Sequence, residues 1–242
     1  MTADPQNSPF IKHLASSDKL IRDSALDSLR TYLSGRSEIS EIDLLKLWKG
    51  LFYCMWMQDK PLHQQHLARD LASLVEVLQQ PVVLPFLDSF WKTIAREWGG
   101  IEALRMDKYL FLIRQYLNAS FRYLSRQNWN NEAAIEQYAE ILEETPLNVL
   151  DVKIPNGLRY HVLDIYIDEL EKVGAEKLEC IPLEKLLEPV RRLEGESKVK
   201  SVRNAAKETL DDDRLKAWRG EEVHKEMREG GSEDDEWGGI DD

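Results

Sequence analysis

Residues 102–125 read EALRMDKYLFLIRQYLNASFRYLS, a stretch with no glycine or proline in which apolar side chains return every three or four positions. At about 100° per residue, Met106, Tyr109, Leu110, Ile113, Tyr116, Leu117, Phe121 and Leu124 share one side of a helix. Arg105, Lys108, Arg122 and Arg126 fall within about a third of the circumference, largely opposite, although Leu104, Phe111 and Leu112 intrude there. The pattern predicts one long amphipathic helix with an apolar face toward a core and a basic face toward something else.

The same period extends outward in both directions. Ser17 can cap a helix through Ser34 that Gly35 ends in the left-handed conformation. Ser40 and Asp43 resemble a capping box before Leu44, Trp48, Leu51, Phe52 and Met55. Pro61 suits the first turn of a helix to Leu78, and Pro81 and Pro85 open another that Gly99 and Gly100 close. Beyond the long helix, one is expected from Asn130 to Glu143. Pro146 and Pro155-Asn156-Gly157 bracket a less regular connection before a helix from Leu158 to Val173. Pro182 begins a helix to about Leu193 that Gly195 breaks, and Ser197 to Leu210 is the last. Strand signals are scarce. About ten helices with short joints and no fixed repeat length imply an all-α chain, an irregular HEAT- or armadillo-like stack of antiparallel helix pairs.

The 242 residues carry 32 Lys and Arg against 44 Asp and Glu, a formal net charge of -12. Asp211 to Asp242 holds most of that excess and no comparable apolar period, so the division is a helical-repeat-like domain, 1–210, and an acidic extension, 211–242, of disordered type. From Glu229 onward there is no basic residue. Trp237 and Ile240, large apolar groups among these acids, could form a protein-docking peptide. A nearly balanced helical part disfavours nucleic-acid binding by bulk charge but permits a local basic face. Cys54 and Cys180 lie far apart in apolar surroundings, which fits a reducing compartment. The polar N-terminus and the short longest apolar run, Leu51 to Met57, disfavour a signal peptide and a membrane partner.

Little in the sequence points to catalysis. His63 and His66, three apart with Asp70 a turn on, are the nearest approach to a metal set, and a solvated helix face explains them better. No phosphate loop, dinucleotide fingerprint or nucleophile elbow occurs, so no catalytic residue, metal, cofactor or small-molecule substrate is expected. His161 reads as structural. The tryptophans at helical spacing, Trp48 with Trp56 and Trp91 with Trp98, read as core before interface.

Three strings resemble a known family. Leu47-Trp48-Lys49-Gly50-Leu51-Phe52-Tyr53-Cys54-Met55-Trp56-Met57-Gln58-Asp59-Lys60-Pro61 is similar to the signature of the eukaryotic nucleolar family called ribosomal RNA processing protein one, or Nop-fifty-two. Arg96-Glu97-Trp98 with Gly100-Ile101-Glu102 and Leu104-Arg105-Met106-Asp107-Lys108 resembles its second block. Pro155-Asn156-Gly157-Leu158 with His161-Val162-Leu163-Asp164-Ile165-Tyr166 and Glu169-Leu170 resembles its third. The resemblance implies a non-enzymatic assembly factor of the large ribosomal subunit. It would act in the nucleus, in the nucleolus, on early precursor particles and be needed for processing of precursor ribosomal RNA. It also implies partners: the large-subunit precursor particle, other assembly factors of WD-repeat, Brix-domain and Mak-sixteen type, and precursor ribosomal RNA by limited contacts. Arg105, Lys108, Arg122 and Arg126 are then the candidate residues for RNA or an acidic partner. The alternative is a general helical-repeat protein-protein adaptor without RNA contact, and a third reading is a metal-dependent hydrolase using His63, His66 and Asp70.

Overall fold

The computed structural model describes residues 13–14, 16, 18–174 and 178–219, and among these it contains eleven α-helices and no strand. The order is α1 (Lys19–Ser34), α2 (Glu41–Met57), α3 (Pro61–Val77), α4 (Gln80–Glu97), α5 (Ala103–Leu124), α6 (Glu132–Glu144), α7 (Asn156–Gly174), α8 (Leu183–Leu186), α9 (Glu188–Glu196), α10 (Lys200–Leu210) and α11 (Asp213–Trp218).

Short joints reverse the chain at each step, and the packing skips one helix each time. Helices α1, α3, α5, α7 and α10 lie side by side as one layer. Helices α2, α4, α6 and the α8–α9 pair form the other, and α9 packs on α10 to join them. Such skipping defines an irregular HEAT-like double layer. It also sorts the joints: those after α2, α4, α6 and α9 share one end of the stack, and those after α1, α3, α5 and α7 share the other.

Local chemistry sets the helix starts. Ser40 accepts the Asp43 N–H at 3.2 Å to cap α2, and Asn131 accepts the Ala134 N–H at 3.2 Å to cap α6. The cap expected at Ser17 lies outside the described residues, and Asp18 performs it, accepting the Leu20 N–H at 2.8 Å. Two expected stops differ. Gly35 closes α1 at φ −79°, with its N–H on Thr31 O, so its left-handed freedom is unused. Gly195 lies inside α9, and the break falls at Leu187 instead. Pro189 explains the shift, because it cannot donate to the carbonyl four residues earlier and its ring crowds that carbonyl.

Aromatic rings join the layers. Trp48 of α2 packs on Phe86 and Phe90 of α4 and on Tyr116 of α5, at centroid distances of 5.0, 4.9 and 4.9 Å. Their polar atoms are satisfied inside: the Trp48 indole donates to Phe86 O at 2.9 Å and the Tyr116 hydroxyl donates to Leu71 O. Burying each ring contributes roughly 2–3 kcal/mol, so this cluster holds α2, α4 and α5 as one body. Farther along, Phe121 packs edge-on to Tyr166 at 5.2 Å, and the Tyr166 hydroxyl donates to Leu186 O. Past Leu210, α11 returns to the stack, with Leu215 buried and Arg214 bonded to Asp168, Glu171 and Asp212. Among the described residues no helix is long and apolar enough to cross a membrane.

Candidate functional site

Helix α5 carries three of the four predicted cations, and the fourth, Arg126, opens the 3-10 turn that follows it; the two ends use them differently. At the N-terminal end, Arg105 donates to Trp56 O at 2.8 Å, and Lys108 donates to Trp56 O and Gln58 O, each at 2.8 Å. These carbonyls lie at the C-terminus of α2, where the last turn has no intrahelical donors and the helix dipole favours positive charge. Arg105 also lies 5.0 Å from the Trp56 ring centroid and pairs with Glu102 at 3.1 Å and Asp59 at 3.5 Å. Lys108 is only 5% exposed. Burial, aided by the neighbouring Arg105 charge, lowers its pKa to about 8.

This corrects the expectation of one basic face opposite the core. Helix α5 has α3 and α7 beside it and the end of α2 against its first turns, so Lys108 points into protein. The wheel position is right, but that side is covered.

The other end lies about 21 Å away along the axis, for the fourteen residues from Lys108 to Arg122. Arg122 is exposed and pairs with Glu76 of α3, and the Arg126 guanidinium lies 5.5 Å from the Tyr123 ring centroid. Together with Val75 and Ala119 these residues line a cleft of about 240 Å3 between α3 and α5. Directly after it the chain passes through three left-handed residues, Gln127 (φ 58°), Asn128 (φ 56°) and Trp129 (φ 62°). A non-glycine residue there costs about 1–2 kcal/mol. The buried Trp129 side chain holds the turn, which carries Arg126 at its start. Trp237 and Ile240 lie outside the described residues.

The three strings quoted above meet at the α2–α3 end of the stack. The first ends where Arg105 and Lys108 of the second clasp it. The third touches the second where Gly157 lies under Trp98; a Cβ there would come 3.1 Å from Trp98 Cζ2. Arg159, which the sequence reading passed over, organises the 145–155 connection from within. Buried itself, it donates to Asn148 O, Asp151 O, Ile154 O and the Asn156 side chain. The loop it holds presents Leu150 and Val152 to solvent at 71% and 93% exposure. Leu104 at 99%, Leu62 at 68% and Met57 at 62% face outward on the neighbouring joints. Its sequence signal was the alternation Leu150-Asp151-Val152-Lys153 between turn residues, apolar groups with no helical neighbour to cover them.

His161 has a structural partner. His161 Nε2 lies 2.9 Å from Leu110 O, and burial lowers its pKa. His63, His66 and Asp70 line a cleft between α1 and α3 together with Arg22 and Arg69. Among the described residues no group of three or more His, Cys, Asp or Glu could hold a metal ion.

Residues 5–240 match the family described as nucleolar protein, Nop52. The chain is 42% identical over 200 residues to ribosomal RNA processing protein 1 homolog B of Homo sapiens, covering 80% of this chain and 26% of that protein. It is 39% identical over 206 residues to ribosomal RNA processing protein 1 homolog A of Homo sapiens, covering 83% of this chain and 44% of that protein. To the ribosomal RNA processing protein 1 homolog of Drosophila melanogaster it is 31% identical over 194 residues, 76% of this chain and 27% of that protein. The matched stretch thus spans less than half the length of each of these relatives.

Proposed function

The chain belongs to the Nop52 family of nucleolar proteins, and from that premise we propose that it is a non-enzymatic assembly factor of the large ribosomal subunit. In this reading it scaffolds early nucleolar precursor particles and is needed for processing of precursor ribosomal RNA. Protein contacts carry most of the placement, with factors of WD-repeat, Brix-domain and Mak-sixteen type as the expected neighbours. Phosphate contacts are secondary and fall to Arg122 and Arg126, since Arg105 and Lys108 are engaged in holding α2. The helical domain, 1–210, forms the scaffold. The acidic extension, 211–242, begins with the docked α11 and offers Trp237 and Ile240 as a docking peptide.

One observation carries this reading: the row of exposed apolar side chains, Met57, Leu62, Leu104, Leu150 and Val152, on three successive joints of one end. Single exposed apolar residues are ordinary. Here the joints that bear them are fixed by buried cations, Lys108 on one and Arg159 on another. A rigid apolar edge suits association with other proteins far better than turnover of a small substrate.

Gradient sedimentation of the tagged protein from nuclear extract tests the proposal. Wild type is expected to co-migrate with large-subunit precursor RNA, and Leu104→Asp with Val152→Asp to shift it to the light fractions with its thermal unfolding unchanged. A double variant that still sediments with the precursors would remove this edge from the mechanism. Migration of wild type as a small RNA-free complex would favour the general helical-repeat adaptor without RNA contact.

A further inference from the structure

A groove of about 650 Å3 runs over α7, between α5 on one side and α10 with α11 on the other. Its apolar lining comes from four separate pieces of chain. Trp98 precedes α5, Met106 and Leu110 lie on α5, Gly157 begins α7, and Ala205 lies on α10. Trp98, Met106, Leu110 and Ala205 keep part of their surface uncovered, over a floor of buried Leu163 and Ile167 of α7. The close approach of Gly157 keeps the Trp98 ring low, so the groove stays open at that end.

The polar groups on its margins are unbalanced. Asp164 of α7 and Glu208 of α10 are exposed, line the groove and have no ion-pair partner among the described residues. The guanidinium lining it, Arg214, is already held by Asp168 at 3.1 Å, Glu171 at 2.8 Å and Asp212 at 2.8 Å. Nearby Arg114 is likewise engaged, with Asp168 at 3.0 Å and Glu169 at 3.2 Å. His161, also in the lining, is partly buried on Leu110 O, and burial lowers its pKa against the opposing pull of that hydrogen bond and of Asp164. The cations in this region are therefore outnumbered by carboxylates before Asp164 and Glu208 are counted.

From this combination we infer that the groove receives a basic, amphipathic segment of a partner protein, with apolar side chains on Trp98, Met106 and Leu110 and Lys or Arg side chains reaching Asp164 and Glu208. An apolar floor with charged margins is the form in which amphipathic segments are bound. Charge sets the choice among occupants. A phosphate backbone would meet uncompensated carboxylates, and the chain's own end from Glu229 to Asp242 has no basic residue to offer them. The site shares no residue with the Arg122 and Arg126 cleft or with the exposed apolar edge, which its Trp98 and Gly157 end adjoins, so loss at Asp164 and Glu208 can occur while the assembly-factor reading stands.

The test uses the full chain and a fluorescein-labelled 15-residue peptide of Leu and Lys in helical period, read by anisotropy. Wild type is expected to bind it, and Asp164→Lys with Glu208→Lys to weaken binding by about tenfold or more. Glu140→Lys with Glu144→Lys changes the net charge equally on α6, in the other layer, and is expected to leave binding within about twofold. Equal losses in the two double variants would mean that the peptide senses only bulk charge, and no loss in the first would remove the groove; either result overturns the inference. So would a labelled oligouridylate that wild type binds and the peptide displaces. Urea midpoints confirm that each variant is folded, which all four exposed positions favour.

Discussion

The two ends of α5 hold the same kinds of residue in opposite situations. At Arg105 and Lys108 the cations point to main-chain oxygens of another helix, and what they complete is the fold. At Arg122 and Arg126 they stand on the surface beside a carboxylate and a ring. Arg105, Lys108 and Arg122 occupy the same angular sector of one helix, and Arg126 follows in the turn after it. What differs is the neighbour: the end of α2 covers the first pair, whereas only the last turn of α3 approaches the second. A charge pattern on a helix becomes a binding face only where the rest of the fold leaves it uncovered.

The largest effect should follow from removing the buried member. Lys108→Met keeps most of the aliphatic stem and removes one of two side-chain donors from each of Trp56 O and Gln58 O, which retain Arg105 and Gln64. Losing the hydrogen bonds of a charged group without orphaning either acceptor makes the expected loss about 1.5–3 kcal/mol, read as a lower urea midpoint at pH 7.5. The pH dependence sharpens it. With Lys108 at about pKa 8 when folded and about 10.4 when unfolded, the unfolded chain binds more protons between those values. Stability from this group is therefore flat below about pH 8 and rises with pH above it. The difference between wild type and Lys108→Met is expected to grow from pH 7.5 to pH 9.5. A constant or shrinking difference would mean that the amine is not desolvated as its contacts imply.

How much of this could be read beforehand follows the same division. Periodicity and caps located the helices, because Ser40 and Pro61 act on atoms within a few residues of themselves. The α8–α9 break was misplaced onto Gly195 because a glycine is tolerated within a helix, whereas Pro189 removes a bond outright. The directions of Lys108 and Arg159 depend on carbonyls brought near by folding, 50 residues away in one case, and no local pattern marks them. The cleft at Arg122 and Arg126 was legible only as charge. That Glu76 stands beside it is a tertiary fact.

A smaller change is expected at the turn that follows the outward pair. Gln127 sits at φ 58° with an exposed side chain, so Gln127→Gly removes a steric cost and leaves the Trp129 anchor in place. Relief of one left-handed residue, offset by the greater freedom of glycine when unfolded, should raise stability by about 0.5–1 kcal/mol. Thermal unfolding checks this. A destabilised variant would mean that the Gln127 side chain, and not its backbone, shapes the turn.

The smallest stability effect, and the one that completes the comparison, belongs to Arg122→Glu with Arg126→Glu. Both side chains are exposed, and surface pairs such as Arg122 with Glu76 contribute little, so the unfolding free energy from urea titration should change by no more than about 0.5 kcal/mol. Binding should respond where stability does not. Each cation that neutralises a phosphate contributes about 0.7–0.9 to the slope of log affinity against log salt, so losing two should flatten the slope by about 1.5. The measurement is association of the purified protein with precursor ribosomal RNA across a salt series. An unchanged slope would make both ends of α5 structural, leaving the apolar edge and the acidic groove, two surfaces suited to proteins, as the parts through which the chain holds its place.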